Sequence, residues 1–150
     1  MGVDRLRAFL RRHRRVALDT SIFIYHLELN SRYLPYTDPI FSWLERPSST
    51  AVTSTITMTE LLVLPYREDN EQRANDFYGL LSTYPNLEWV APTLEIAELA
   101  ARIRALYRLK TPDALQAATA QCSQATALIT NDPVFERVGG FETLTLDQLL

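Results

Sequence analysis

Glycine is scarce in this sequence: four residues among 150, at positions 2, 79, 139 and 140. None lies in the stretch immediately after the first strand-like run, "RVALD". Neither a phosphate-cradling loop nor a dinucleotide-binding fingerprint can form there. Histidine is scarcer still, with only His13 and His26. Nothing in the sequence brings the two together, and His26 falls in an amphipathic helix, where a structural role is the commoner one. A Ser-His-Asp triad or a two-histidine ribonuclease is therefore without support. The single cysteine, Cys122, lies in an alanine-rich helical stretch. It has no partner for an internal disulfide and reads as a small buried apolar residue in a reducing cytoplasm. No stretch approaches the ~18 uninterrupted apolar residues of a membrane span. The N-terminal arginines are not followed by the apolar core and small-residue cleavage site of a secretory signal. The expectation is a cytoplasmic protein with no membrane association.

Lysine is almost missing too: Lys110 is the only one among fifteen basic residues, the rest being arginine. The planar guanidinium fork suits phosphate oxygens, so the bias is compatible with a polyanionic partner. The net charge of −3 argues the other way, but the charge is unevenly spread. Residues 1–15 hold Arg5, Arg7, Arg11, Arg12, Arg14 and Arg15 against one acid, Asp4, which is +5 and leaves −8 on the remainder. Arg11, Arg12, Arg14 and Arg15 are therefore candidates for contact with an RNA backbone. The alternative for this segment is a solvated helix face packed through Leu6 and Phe9. With 47% hydrophobic and 22% charged residues the chain is globular. Its length fits one folded unit, divided here into a basic N-terminal helical extension over residues 1–15 and a domain over 16–150.

Hydrophobic periodicity gives a repeating plan. "VDRLRAFLRRH" is a short amphipathic helix, "RVALD" a strand and "TSIFIYHLEL" a helix. "DPIFSWLER" is a helix, "TAVTST" a strand, and "TMTELLVL" a helix that Pro65 should end. "EDNEQRANDFYGLLSTY" is a long helix, "NLEWVAP" a strand, and "TLEIAELAARIRALYRL" a helix with Ile96, Leu99, Ala100 and Ile103 on its core face. "TPDALQAATAQCSQ" is a helix opened by Thr111 with Pro112 at its first position. "ATALIT" is a strand, "DPVFERV" a helical turn and "ETLTL" a fifth strand. Alternating strands and helices predict an α/β fold, with a mainly parallel sheet of four to five strands between two helical layers.

In such sheets ligands bind beyond the carboxyl ends of the strands, where strand order reverses. Four carboxylates fall at or near that edge. Asp19 ends the first strand and Asp132 follows the fourth; Glu60 lies shortly past the second, and Asp113 opens the helix before the fourth. Each has a structural explanation. Asp19 and Asp132 can cap helices, Asp113 suits a first helical turn, and Thr57 to Glu60 matches a capping box. Serine, threonine or asparagine would cap as well, so capping gives no reason for acids at all four places. Converging carboxylates repel one another unless a cation sits among them, and an all-oxygen donor set selects Mg²⁺ or Mn²⁺. A bound metal would activate water where no side-chain base is evident.

These residues resemble the PIN-domain ribonucleases, and especially the VapC-type toxins of prokaryotic toxin–antitoxin pairs. "ALDTSIFIY" is similar to that family's opening motif, with Asp19 as first acid and Thr20 or Ser21 as the following hydroxyl. "TSTITMTELL" places Glu60, "LKTPDALQAATA" places Asp113, and "LITNDPVF" places Thr130, Asn131 and Asp132. The four motifs occur in family order over roughly residues 16–146. The resemblance implies an α/β/α sandwich, Mg²⁺- or Mn²⁺-dependent endonucleolytic cleavage of RNA, a homodimer and a small antitoxin partner. Many relatives carry a further acid shortly after the fourth motif. Here Pro133, Val134 and Phe135 follow Asp132, which leaves one metal or two open. A haloacid-dehalogenase-like phosphatase is the competing enzyme class, but its D-x-D motif would need an acid where Ser21 stands. A non-catalytic RNA-binding scaffold is the other alternative.

Overall fold

Short runs of mainly small and branched residues make the three central strands, which are buried on both sides as parallel strands between helical layers must be, while the two edge strands are only partly covered. The computed structural model describes residues 1–150. It holds α1 (Gly2–Arg12), β1 (Arg15–Leu18), α2 (Thr20–Leu27), α3 (Leu34–Leu44), β2 (Thr50–Ser54), α4 (Ile56–Arg67), α5 (Glu71–Ser82) and β3 (Leu87–Val90). Then follow α6 (Leu94–Tyr107), α7 (Thr111–Cys122), β4 (Ala127–Thr130), a 3-10 turn at Pro133–Arg137, β5 (Glu142–Thr145) and a 3-10 turn at Leu146–Leu149. All strand pairs are parallel, in the order β3-β2-β1-β4-β5. The chain builds outward from β1 on one side, then crosses over through α6 and α7 to place β4 on the other. The order therefore reverses between β1 and β4, where Leu18 pairs with Ile129.

Side chains alternate across the sheet with the period of two that strands impose. Val16, Leu18, Ala51, Ala127 and Ile129 face one core with Leu6, Phe9, Ile22, Phe23, Phe41 and Leu44. Ala17, Val52 and Leu128 face the other with Ile96, Ala100, Ile103 and the alanines of α7. This is the expected α/β/α sandwich with five parallel strands. The basic helix α1 is part of it: Leu6, Phe9 and Leu10 are buried in the first core while its arginines face outward.

Local departures from the sequence reading have identifiable causes. Helix α3 begins at Leu34 rather than Asp38, because Pro35 occupies its first turn, where the missing N–H is no loss. Helix α4 runs through Pro65 to Arg67; the proline forfeits one bond near the helix end while its ring is buried. Helix α7 is entered through Lys110 with no side-chain cap, and Thr111 is its first residue. Leu99 and Cys122 are half-buried rather than buried.

Candidate active site

The loop after β1 has to release a strand and start a helix within one residue, and Asp19 does both. Its backbone N–H donates to Ile129 O, the last rung joining β1 to β4. Its Oδ1 accepts the Thr20 N–H at 2.8 Å and so caps α2. Oδ2 accepts the Thr130 hydroxyl at 2.8 Å from the end of β4, and the Ser21 hydroxyl lies 3.4 Å away. Only 8% of Asp19 is exposed. Burial pushes its carboxyl up to about 6; the bonds from Thr130 and Thr20 pull the other way, and Asp113 and Glu60 push it further up. A cap needs no such environment.

The other acids arrive from three further elements. Asp113 lies in the first turn of α7 and is half-buried. Burial raises its carboxyl first, then the charges of Asp132 and Glu60, while Lys110 lowers it. Asp132 caps the 3-10 turn by accepting the Val134 N–H at 3.0 Å and has its own N–H held by Thr130 Oγ. Glu60 sits inside α4, exposed, and accepts the Thr20 hydroxyl at 2.6 Å. The capping box proposed for Thr57 and Glu60 does not form. Thr57 is buried within the helix, and its hydroxyl is taken up by Thr53 and Gln116.

Asp19, Glu60, Asp113 and Asp132 line one open cleft of about 550 Å³ with Thr20, Ser21, Tyr25 and Asn131. No arginine, lysine or histidine is among its lining residues. Thr130 works from beneath, through Asp19. No three acids are drawn together into a finished coordination shell. The donor set nonetheless fits a hard ion, since Mg²⁺ keeps most of its waters and takes one or two protein carboxylates plus substrate phosphate. Asp19 and Asp113 would be the main ligands, with Asp132 and Glu60 at the rim.

Three contributors lie within the quoted motifs but are not among the site residues read from them. Gln116, 3% exposed, is the one amide on the alanine-rich face of α7. Its Nε2 donates to Thr57 Oγ at 2.6 Å and its Oε1 faces the Ser54 N–H at 3.3 Å. Thr53 donates to Leu18 O at 2.9 Å, which leaves Thr57 as donor in the 2.7 Å contact between the two hydroxyls. The chain Gln116–Thr57–Thr53–Leu18 thus ties α7, α4, β2 and β1 together under the cleft. Tyr25 forms part of the rim: its hydroxyl accepts from Asn131 Nδ2 at 3.0 Å, and its ring stacks on Tyr33 at 4.1 Å. A glutamine three residues after Asp113 was the only signal available beforehand.

The arginines foreseen as backbone contacts do not reach this cleft. They lie near the amino ends of the strands, at the opposite edge. Arg12 is paired with Glu142 at 2.7 Å, and Arg15 with Glu88 at 2.7 Å and with Ser123 O at 2.6 Å. Arg11 and Arg14 are exposed. His13 is clamped between Thr126 and Glu142, and His26 lies over Phe41, so neither takes part in the acid site.

Fold and cleft define an α/β/α domain carrying its acids at the switch point of a parallel sheet. The chain belongs to the PIN domain family, whose model matches residues 16–141. Among solved structures it is similar to a toxin–antitoxin complex from Klebsiella pneumoniae, at 26% identity and a TM-score of 0.64 over 87% of this chain and 97% of that one. DNA-bound VapBC from Salmonella typhimurium matches at 22% identity and a TM-score of 0.69, over 88% and 98% of the two chains. VapBC-1 from nontypeable Haemophilus influenzae matches at 22% and 0.68, over 89% and 98%. No curated protein matches the sequence. PIN-domain toxins are generally nucleases. No helix of this chain is long and apolar enough to cross a membrane.

Proposed function

We propose that this protein is a Mg²⁺- or Mn²⁺-dependent endoribonuclease and the toxin of a toxin–antitoxin pair. The observation that carries the reading is the assembly of four carboxylates from four separate elements around one cleft, with Asp19 buried against its own charge. A bound divalent ion would lower the pKa of water and offset charge on a phosphodiester. The chain's own residues prepare for it. Thr20 N–H, Ser21 and Thr130 fix Asp19 so that its carboxylate is held without rotating. Thr20 aims Glu60 into the cleft. Asn131, held by Tyr25 and by the Asp147 N–H, fixes the backbone from which Asp132 projects.

The reading includes a small antitoxin protein and a homodimer as partners. It is supported by the resemblance of the four motifs and by similarity to chains solved as toxin–antitoxin complexes. Cleavage of RNA with Mg²⁺ or Mn²⁺, and its loss in excess chelator, is the test. Undiminished cleavage in chelator would overturn the mechanism. A short upstream reading frame whose product binds this chain and suppresses cleavage tests the toxin half.

A further inference from the structure

A cleft lined by four acids and no base repels the polyanion that a nuclease must hold. A bound cation offsets only part of that charge, so most affinity for the backbone has to come from elsewhere. Outside residues 1–15 the chain carries −8, which narrows the search to surfaces that include α1.

The arginines of that region divide into two sets. Arg5, Arg12 and Arg15 are engaged, by Gln148 O, Glu142 and Glu88 respectively. Arg7, Arg11 and Arg14 make no side-chain hydrogen bond or ion pair; Arg14 lies outside the groove described next, while Arg7 and Arg11 are exposed on α1, one turn apart. Helix α3 packs beside α1, and just past its end Arg46 is likewise exposed and unpaired. Arg7, Arg11 and Arg46 line one cavity of about 300 Å³ between the two helices, together with Leu10, Pro39, Ser42 and Trp43. Asp38 is the only acid there, and it faces His26 Nδ1 at 3.7 Å.

We infer that this α1–α3 groove binds the phosphodiester backbone of the single-stranded RNA, as a site separate from the acid cleft. Arginine forks held without partners around a concave surface suit tetrahedral phosphate oxygens. Arg46 lies just before the amino end of β2 and the acid cleft at the carboxyl-end edge, so an RNA strand held at both runs along the length of the β-strands. The inference rests on the proposed nuclease reading for its choice of RNA, but its test does not depend on cleavage.

Binding of a fluorescently labelled 12-residue RNA is measured by anisotropy across a range of NaCl, in an Asp113→Asn background that prevents turnover. Replacing Arg7, Arg11 and Arg46 together by Gln should lower the slope of log affinity against log salt by about 2, at roughly 0.7 per lost single-strand phosphate contact. Replacing the same three by Lys should keep most of the slope, because the point charges remain. Removing Arg67 and Arg108, exposed arginines on other faces, should leave it nearly unchanged. An unaltered slope in the triple Gln variant, with its circular dichroism intact, overturns the site. So does a loss confined to duplex DNA, to inorganic phosphate or to a poly-glutamate peptide while RNA binding is retained. If RNA is never cleaved yet the slope falls as described, the nuclease reading fails and the backbone site stands.

Discussion

Thr130, the last residue of β4, donates its hydroxyl to Oδ2 of Asp19, the first residue after β1, at 2.8 Å. The bond crosses the switch point and is the strongest influence holding the Asp19 carboxyl down against burial. Thr130→Val keeps the shape and removes the donor. The Asp19 carboxyl should then titrate higher still, as read by NMR. Cleavage and Mg²⁺ affinity should fall by about 10- to 100-fold, as for other partners that orient a metal ligand. An Asp19 titration unmoved by this change would show that the bond does not tune the acid.

Capping and catalysis separate cleanly at the acids. Asparagine caps helices about as well as aspartate. Asp19→Asn, Asp113→Asn and Asp132→Asn should therefore fold, with the metal-free melting temperature unchanged or slightly raised by relief of repulsion. Cleavage should drop by well over the ~100-fold expected of an orienting residue, and Glu60→Gln should drop it too. The stabilisation by Mg²⁺, which follows RT ln(1 + [Mg²⁺]/Kd), should shrink in each. Retained cleavage with unchanged Mg²⁺ stabilisation in Asp19→Asn and Asp113→Asn would return these residues to a purely structural role.

Stability against pH follows from the same burial. Asp19 lies at about 6 in the folded protein against an ordinary 3.8. A raised acid binds its proton more tightly when folded, so its contribution is present below pH 4 and is lost as pH rises through 6. Asp113 shifts in the same direction. Glu88 and Glu142 are lowered by the bonds from Arg15 and His13, with the opposite sign. Comparing wild type with Asp19→Asn cancels those terms. In chelator, the variant should gain on wild type by on the order of 2–3 kcal/mol between pH 4 and pH 7 by urea unfolding. A constant difference across that range would refute the buried-charge account.

The Gln116–Thr57–Thr53 chain predicts a stability effect that is separable from charge. Gln116→Ala leaves the Thr57 hydroxyl without its donor and opens space, at a cost of about 2–4 kcal/mol. Paired with Thr57→Val in a double-mutant cycle, it should show a coupling on the order of 1 kcal/mol or more. Additivity of the two changes would mean that the 2.6 Å contact contributes nothing of its own.

Three of the acids stand out because each sits next to a local signal, whereas the capping box that marks Glu60 does not form. Asp19 ends an apolar strand, Asp132 precedes a proline, and Asp113 follows one. Such signals report on neighbours in sequence, and the parallel α/β plan then supplies the common edge. Gln116 and Tyr25 gave no comparable sign, since their importance lies in partners on other elements. The arginines show the limit most plainly. Arg11, Arg12, Arg14 and Arg15 look like one patch along the chain, yet the fold assigns Arg12 and Arg15 to glutamates near the starts of β5 and β3. Arg46, which joins Arg7 and Arg11 in the groove, comes from beyond α3. Charge runs are read as neighbours only where the backbone keeps them so. The extent of α4 through Pro65 was missed for the converse reason, since burial of the ring outweighed a local breaker.

The central strand β1 is made early and finished late. One of its edges is covered by β2, but the other waits for β4, whose first residue is Ala127. A polypeptide stalled or clipped before that point already contains Asp19, Glu60 and Asp113, but it has no Thr130 to hold the first acid and no Asp132. Pairings this distant in sequence form slowly and only when nearly all of the intervening chain is available. Partial translation products are therefore barred by topology from assembling the cleft. A chain that ends anywhere upstream of β4 lacks both Asp132 and the Thr130 hydroxyl that holds Asp19, whichever of the other acids it carries.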